Sequence, residues 1–258
     1  MSAPTVPMLM SERTLSGKRV ILTGAAGGIG RVIAQHLSAG GVRLALLDRQ
    51  PDALDDVVRS LAGDGHSAHP VDLADPDRTR AAAAAAIGAL GGVDGLVNNA
   101  GVFEKVPLAD ITVAAWDTMI AVNTRGPLVL MQSALAALSQ SGDGRIVNIA
   151  SMGARLAAPL EGHYAASKAA LLALTRAAAL EWGPRGITVN AISPGYVLTE
   201  LGAATRSAAD IDSWTRRSPL GRLAEPLDVA GTVAFLLGPH GAYLTGQALD
   251  VNGGMTMW

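Results

Sequence analysis

The stretch Arg19-Val20-Ile21-Leu22-Thr23-Gly24-Ala25-Ala26-Gly27-Gly28-Ile29-Gly30, near the start of the chain, decides the fold. Its first part carries the apolar run Val20–Leu22, which is typical of a strand that is buried on both faces. Glycines follow at once, and an apolar helical pattern begins at Ile29. The stretch therefore predicts a strand, a glycine-rich turn and a helix in direct succession, which is the opening unit of a parallel sheet.

The same alternation continues along the rest of the chain. Short, mostly apolar runs predict strands at Arg19–Thr23, Arg43–Asp48, Ser67–Val71, Gly95–Asn98, Arg145–Ile149, Thr188–Ser193 and Gln247–Val251. Helical patterns lie between them at Ile29–Ala39, Asp52–Leu61, Pro76–Leu90, Val113–Leu138, Tyr164–Trp182 and Pro226–Leu237. Alternating strands and helices predict an α/β fold with a doubly wound parallel sheet and helices on both faces. No composition shift or internal repeat marks a second domain, so we expect one domain over residues 15–258.

Composition excludes several classes of protein. Of the 258 residues, 49% are hydrophobic and 16% are charged, which indicates a globular chain. The net charge is −2 and no run of Lys and Arg exceeds two residues, so we expect no nucleic-acid partner. The absence of cysteine excludes thiol chemistry and fits a cytoplasmic location. Residues 1–14 have prolines and no sustained apolar block, so we interpret them as a flexible tail, and the alanine run Ala81–Ala86 is too short to cross a membrane.

The glycine turn is a candidate phosphate-binding site. Gly24, Gly28 and Gly30 let the backbone turn sharply and let a pyrophosphate approach the amides at the helix N-terminus. Their spacing, Gly-x-x-x-Gly-x-Gly, differs from the common dinucleotide fingerprint, so a glycine turn without a ligand remains an alternative. Asp48 ends the second strand, where a carboxylate can accept hydrogen bonds from ribose hydroxyls or simply cap the next helix. Its charge would repel a 2′-phosphate, which favours NAD over NADP, although Arg49 softens that preference.

Four polar residues further along form a candidate catalytic set. Tyr164 and Lys168 are four residues apart and therefore share one face of a helix. A phenol has a pKa of about 10, and a nearby ammonium, together with the positive nicotinamide of an oxidised cofactor, favours the phenolate and brings that pKa towards neutrality. Ser151 follows the fifth strand, where it can orient a substrate oxygen. Taken singly, each residue also fits a plain structural role: Tyr164 and Lys168 an amphipathic face, Ser151 a cap, and Asn123 a helix position.

Together, the motifs resemble the short-chain dehydrogenase/reductase family from about Leu15 to the C-terminus. The resemblance rests on the glycine turn, Asn98-Asn99-Ala100-Gly101, Trp116-x6-Asn123, Ser151, Tyr164-x3-Lys168 and Pro194-Gly195, each in the family's order and spacing. It departs in Ala150, where the family often has a second serine, and in the extra tail. The resemblance implies a single-domain Rossmann fold with a seven-stranded sheet in the order 3-2-1-4-5-6-7. It also implies a homotetramer that is built through the helices carrying Asn123 and Tyr164 and through the C-terminal strand and helix.

The resemblance assigns roles to individual residues. It implies a catalytic tetrad of Asn123, Ser151, Tyr164 and Lys168, in which Asn123 anchors a water that links Lys168 to solvent. It implies that the nicotinamide cofactor is bound by Gly24, Gly28, Ile29, Gly30, Asp48, Asp72, Leu73, Asn99, Ala100, Gly101, Tyr164, Lys168, Pro194, Gly195, Val197 and Thr199. No metal is required, because tyrosine and serine together polarise the carbonyl. The pair His66 and His69 is interpreted as solvated rather than as a metal site.

The function predicted on this basis is hydride transfer between NAD and a secondary alcohol or ketone. A polyol or sugar-type alcohol is the first substrate class, and a 3-oxoacyl thioester to be reduced is the second. Residues proposed for the substrate pocket from position alone are Ser151, Met152, Gly153, His163, Tyr196, Leu201 and Trp214. We interpret residues 195–219 as a substrate loop. The alternatives of another class are a catalytically silent NAD-binding sensor or scaffold and a methyltransferase-type domain, which gives no reason for Ser151, Tyr164 and Lys168.

Overall fold

The computed structural model describes residues 15–199 and 207–257. Its strands are β1 (Arg19–Thr23), β2 (Arg43–Asp48), β3 (Ser67–Pro70), β4 (Gly95–Asn98), β5 (Gly144–Ile149), β6 (Ile187–Pro194) and β7 (Ala248–Val251). Its α-helices are α1 (Gly28–Ala39), α2 (Pro51–Ser60), α3 (Pro76–Leu90), α4 (Val113–Ile120), α5 (Gly126–Ser141), α6 (Gly162–Trp182), α7 (Ala208–Arg217) and α8 (Pro226–Leu237). The predicted tail, residues 1–14, and Leu201 lie outside the described residues.

The strands form one parallel sheet in the order β3-β2-β1-β4-β5-β6-β7, which confirms the predicted topology. Two buried apolar layers cover its faces. One layer packs α1 and α8 against the sheet through residues such as Ile33 and Val233, and the other packs α3 and α5 through residues such as Ala83 and Leu138. Both faces of the sheet are covered, which is why β1 and β5 are buried along most of their length and are mostly apolar.

The helix predicted over Val113–Leu138 is not continuous. Residues Ala121–Arg125 form a π-helical turn between α4 and α5, so Asn123 lies at a local widening of the helix rather than in a regular segment. Such turns are rare and occur often at functional sites. Helical periodicity alone cannot reveal one added residue per turn, because the apolar pattern on both sides still fits a helix.

The predicted substrate loop also differs from expectation, because it contains α7. Ser207 caps this helix, and its hydroxyl accepts a hydrogen bond from the backbone N–H of Asp210 at 3.1 Å. The helix ends with Arg216 and Arg217, whose positive charges are favourable at a helix C-terminus. The polar composition of this segment hides the helix from an argument based on apolar periodicity.

All strands are parallel, so their carboxyl ends meet at one edge of the sheet. The glycine turn after β1, Asp48 at the end of β2, Asn99 after β4 and Ser151 after β5 all lie at this edge. Ligands bind to open α/β sheets at this edge, beside the point where the strand order reverses. In this sheet the reversal lies between β1 and β4. Across residues 15–199 and 207–257, no helix is long and apolar enough to cross a membrane.

Candidate active site

The glycine turn is closed so tightly that side chains are excluded from it. A Cβ atom at Gly30 would lie 2.0 Å from the backbone oxygen of Gly24, and one at Gly24 would lie 2.7 Å from the Cα of Ala100. Gly24 also has a φ of +65°, a conformation that other residues rarely adopt. A Cβ at Gly28 would meet Thr199 at 2.8 Å. The turn therefore holds bare backbone amides at the start of α1, as the binding of a pyrophosphate requires.

The turn forms one wall of a cavity of about 340 Å³. The predicted cofactor residues that line it are Gly24, Gly28, Ile29, Gly30, Asp48, Asp72, Leu73, Asn99, Ala100, Gly101 and Thr199. Asp48 is held in place there, because its two carboxylate oxygens accept hydrogen bonds from the backbone N–H groups of Ala26 at 3.0 Å and Gln50 at 3.2 Å. A fixed carboxylate beside a glycine-walled cavity suits the ribose and pyrophosphate of a dinucleotide. Arg49 also lines this cavity.

Thr23, which the sequence analysis did not single out, links the ends of the two central strands, β1 and β4, beneath this cavity. Its hydroxyl oxygen accepts hydrogen bonds from the backbone N–H groups of Asn99 and Ala100, each at 3.0 Å. The side-chain amide of Asn99 donates in return to the carbonyl oxygens of Thr23 and Gly24, both at 3.1 Å. These hydrogen bonds join the end of β1 to the residues after β4. They thereby position Gly101 at the wall of a second cavity, which is described next.

A second cavity, of about 470 Å³, adjoins the first and shares wall residues with it. The shared residues are Ile29, Asn99, Gly101, Val102 and Thr199. The predicted residues that line the second cavity without belonging to the first are Ser151, Met152, Gly153, Tyr164, Lys168, Pro194, Gly195, Tyr196 and Val197. The structure thus brings the candidate proton-transfer residues to a cavity that is continuous with the candidate dinucleotide site.

Ser151 and Tyr164 meet in this second cavity. Ser151 caps a short 3₁₀ turn, where its hydroxyl oxygen accepts a hydrogen bond from the backbone N–H of Gly153 at 3.0 Å. The hydroxyl of Tyr164 is hydrogen-bonded to Ser151, which lowers its pKa, but burial is the larger effect and raises that pKa above its usual value. Glu161 raises the pKa of Tyr164 further by like charge. Phe103 packs its edge on the tyrosine ring, with the ring centroids 4.9 Å apart, and fixes the ring orientation.

Lys168 is 4% exposed and lies one helical turn after Tyr164. Its Nζ atom donates a hydrogen bond to the backbone oxygen of Ile149 at 2.8 Å. Burial lowers the pKa of Lys168 to about 8. Burial has the largest influence on the pKa of Tyr164, and the hydrogen bond with Ser151 offsets it only in part. Burial acts in this direction because a phenolate loses its hydration when it is removed from water. A lowering of this pKa by Lys168 together with the positive nicotinamide stays a prediction.

Asn123 is fully buried and its side chain is occupied by neighbours. Its oxygen accepts from the backbone N–H of Val102 at 2.8 Å, and its amide nitrogen donates to the carbonyl oxygen of Val102 at 2.9 Å and to Ser167 at 3.0 Å. A Cβ at Gly101 would lie 3.2 Å from the Asn123 oxygen and 3.3 Å from Lys168 Nζ. Asn123 is therefore a brace behind the cavity wall, and it does not line either cavity.

Two residues proposed for the substrate pocket lie elsewhere. His163 is completely buried and does not line either cavity, because its place in the first turn of α6 directs it into the protein. Trp214 lies behind the wall, where it stacks on Tyr196 with the ring centroids 4.4 Å apart and the planes at 11°. The sequence missed other wall residues, namely Val102, Phe103, Leu156, Ala157, Ala158, Glu161 and Arg217. They come from loops and from α7, which no motif marks.

The histidines of the possible metal pair are engaged within the protein. The Nδ1 atom of His66 accepts from the backbone N–H of Leu44 at 3.1 Å, and its Nε2 atom lies 3.0 Å from the carbonyl oxygen of Ala62. His69 bonds to Ser67 at 2.9 Å. In the described part of the chain, no group of three or more His, Cys, Asp or Glu side chains is placed to hold a metal ion.

Comparison with known proteins identifies the family. A family model described as enoyl-(acyl carrier protein) reductase, of the short-chain dehydrogenase type, matches residues 24–256. D-threitol dehydrogenase of Mycolicibacterium smegmatis is 36% identical over 94% of this chain and 94% of its own length. The chain belongs to the short-chain dehydrogenase/reductase family. Members of this family transfer a hydride between a nicotinamide cofactor and an alcohol or carbonyl carbon, and this protein is accordingly an NAD(P)-dependent oxidoreductase that acts on secondary alcohols.

Further similar proteins support the assignment. Galactitol 2-dehydrogenase (L-tagatose-forming) of Cereibacter sphaeroides is 37% identical over 95% of this chain and 97% of its own. A 3-oxoacyl-acyl-carrier-protein reductase of Staphylococcus aureus is 33% identical over 93% and 98%. Among solved structures, a blue fluorescent protein from a metagenomic library, in complex with NADPH, is 38% identical over 95% of this chain and 100% of its own, with a TM-score of 0.87.

Proposed function

We propose that this protein is an NAD-dependent dehydrogenase of a polyol or sugar-type secondary alcohol. The observation that carries the proposal is the convergence of Ser151, Tyr164 and Lys168 on a cavity that adjoins the glycine-walled cavity. Relatives that are named for threitol and galactitol are 36% and 37% identical to this chain over more than nine-tenths of its length, which supports a polyol. When bound, the nicotinamide accepts the hydride in oxidation and supplies it in reduction.

The chain's own residues handle the proton and the substrate oxygen. The hydroxyl oxygen of Tyr164 takes the proton of the substrate hydroxyl in oxidation and returns it to the carbonyl oxygen in reduction. Ser151 orients that substrate oxygen beside the phenol. Lys168, whose pKa is about 8, exchanges protons near neutral pH and supports the phenolate. Asn123 acts as a positioning residue, because from behind the cavity wall it holds Val102, which lines both cavities, and Ser167.

The preference for NAD is proposed from Asp48. Two backbone amides hold its carboxylate at the wall of the nucleotide cavity, so it cannot turn away from a 2′-phosphate without losing both hydrogen bonds. The remaining cofactor contacts are proposed for the predicted residues that line the two cavities. Arg49 lines the same cavity, and its positive charge would allow NADP to bind there less well than NAD.

Reduction of a 3-oxoacyl thioester is the second candidate. It is favoured by the description of the matching family model and by the acyl-carrier-protein reductase among the relatives. The apolar side chains of Met152, Leu156 and Phe103 in the cavity wall suit an acyl chain. A polyol is preferred here, because the wall also carries the polar groups of Glu161, Tyr196 and Arg217.

Assembly and location complete the proposal. We propose a homotetramer that is built through α4, α5 and α6, because apolar side chains such as Val113, Trp116 and Leu180 are exposed on two of these helices. A cytoplasmic location is proposed from the cysteine-free composition.

A substrate panel tests the proposal. The purified protein is assayed at the reduced-nicotinamide absorbance band with alditols, simple secondary alcohols and 3-oxoacyl thioesters, each with both cofactors in parallel. We expect oxidation of at least one alditol with NAD to be the most efficient reaction. Turnover of only the thioesters would replace the proposal with its alternative. Cofactor binding without turnover of any substrate would instead indicate the sensor or scaffold.

A further inference from the structure

Arg217 is the last residue of α7, and it lines the same cavity as Tyr164. Its guanidinium carbon lies 6.0 Å from the centroid of the Tyr196 ring, which is itself stacked on Trp214. Arg217 is exposed to solvent, and its described side-chain contact is with this aromatic ring rather than with a carboxylate. Its N–H donors therefore remain available at the cavity wall.

The two described arginines nearest to Arg217 along the chain, Arg216 and Arg222, are paired, whereas Arg217 is not. Arg216 forms an ion pair with Asp212, and Arg222 forms one with Asp228 at 2.6 Å. Within residues 15–199 and 207–257, the guanidinium of Arg217 has no hydrogen bond or ion pair. An arginine that faces a cavity with all its donors available is a recognition group for an anion.

The charge of Arg217 is directed to the substrate side of the site. Arg217 lines the cavity that holds Tyr164 and does not line the one formed by the glycine turn, so it is not placed to bind the cofactor's pyrophosphate. Glu161 lines the same cavity but makes no ion pair with Arg217 among the described contacts. The cavity therefore offers a carboxylate beside Tyr164 that can accept hydrogen bonds from hydroxyls, and a separate guanidinium.

We infer that Arg217 binds a carboxylate of the substrate, so that the preferred alcohol is a hydroxy acid, such as an alditol with one end oxidised to the acid. The planar guanidinium matches a carboxylate with two parallel hydrogen bonds, which a neutral hydroxyl cannot reproduce. This inference rests on the proposed function, because it names the class of secondary alcohol that is oxidised at Tyr164.

The test compares a matched pair of substrates, D-gluconate and D-glucitol, in wild-type protein and in the variants Arg217→Met, Arg217→Lys and Arg216→Met. We expect wild type to prefer the acid. In Arg217→Met the KM for gluconate should rise about tenfold to a hundredfold more than that for glucitol, the usual worth of a charge-assisted contact. Arg217→Lys should recover part of the loss. Arg216→Met is the matched control, because it removes an adjacent cation that is paired away from the cavity.

Binding of gluconate, measured by calorimetry in the presence of NADH, separates this inference from the proposed function. Binding that is lost in Arg217→Met but retained in Arg216→Met supports the inference, even if no alditol or aldonate is turned over. Equal losses for acid and alditol, or equal effects of the two variants, would overturn it. A response confined to glucitol 6-phosphate would overturn it as well, because the anion would then be a phosphate. Failure of turnover alone counts against the proposed function.

Discussion

The Nζ atom of Lys168 lies 2.8 Å from the backbone oxygen of Ile149, and this hydrogen bond holds a cation inside the protein. The fall of its pKa from 10.5 to about 8 corresponds to roughly 3 kcal/mol of penalty on the charged form. The buried ammonium of Lys168 therefore lowers the stability of the fold at the place where proton transfer needs a positive charge. Active sites often reduce stability in this way.

Replacing Lys168 by methionine should make the protein more stable at pH 7 and inactive. Relief of the desolvation penalty outweighs the lost hydrogen bond, which leaves a gain of about 1 kcal/mol. Between pH 8 and 10.5 the unfolded chain holds the lysine proton and the folded protein does not, so wild-type stability rises with pH relative to the variant. Urea unfolding at several pH values measures this. A variant that is less stable at pH 7, with a difference independent of pH, would contradict the prediction.

Replacing Tyr164 by phenylalanine should lower kcat by a factor of about 10³ while NAD still binds, because the ring remains and only the proton-transfer group is lost. Tyr243→Phe is the control, since that tyrosine is fully exposed and lies outside both cavities. Steady-state kinetics and cofactor titration by fluorescence provide the two measurements. Loss of NAD binding with residual turnover would show that the tyrosine has another role.

Replacing Asp48 by asparagine should raise the ratio of kcat/KM with NADP to that with NAD by roughly tenfold, which corresponds to about 1.4 kcal/mol. Asparagine removes the charge that opposes a 2′-phosphate and keeps one acceptor oxygen, so one of the two amides, of Ala26 or Gln50, loses its side-chain partner. Asp52→Asn changes an exposed carboxylate at the start of α2 and should leave the ratio unchanged. An unaltered ratio in the Asp48 variant would assign the cofactor preference to another group.

Replacing Gly30 by alanine should abolish NAD binding and destabilise the fold by about 3 kcal/mol, because the new Cβ would lie 2.0 Å from the Gly24 oxygen and the turn must open. Gly88→Ala is the matched control. Gly88 lies in α3 with no atom near its Cβ position, so alanine should stabilise the protein by about 0.5–1 kcal/mol. Thermal unfolding with and without NAD compares the two. An alanine at Gly30 that binds NAD normally would refute the tight-turn account.

Replacing Thr23 by valine should cost about 2 kcal/mol, because two partly buried N–H groups, those of Asn99 and Ala100, lose their acceptor while the side-chain shape is kept. Thr118→Val is the control, since its hydroxyl only donates to a carbonyl within α4 and is exposed. Chemical denaturation gives both values. Equal effects of the two substitutions would mean that the link between β1 and β4 contributes nothing to stability.

The strands were predictable because parallel strands are buried on both faces and therefore consist of short apolar runs between glycines. The break at Ala121–Arg125 and the helix α7 were not predictable in this way. A π-helical turn leaves the apolar pattern unchanged on both sides of it. The sequence of α7 is polar, and the position of this helix depends on tertiary contacts such as the stacking of Trp214 on Tyr196.

The sequence by itself determined the order of strands and helices, the glycine turn and the pair Tyr164 and Lys168, because each depends on residues that are close along the chain. Only the tertiary structure decided that His163 is buried away from the cavities and that Arg217 lines the substrate cavity. It also decided that burial has the largest influence on the pKa of Tyr164. Burial and cavity walls arise from segments that are distant in sequence, and a local pattern carries no record of which segments meet.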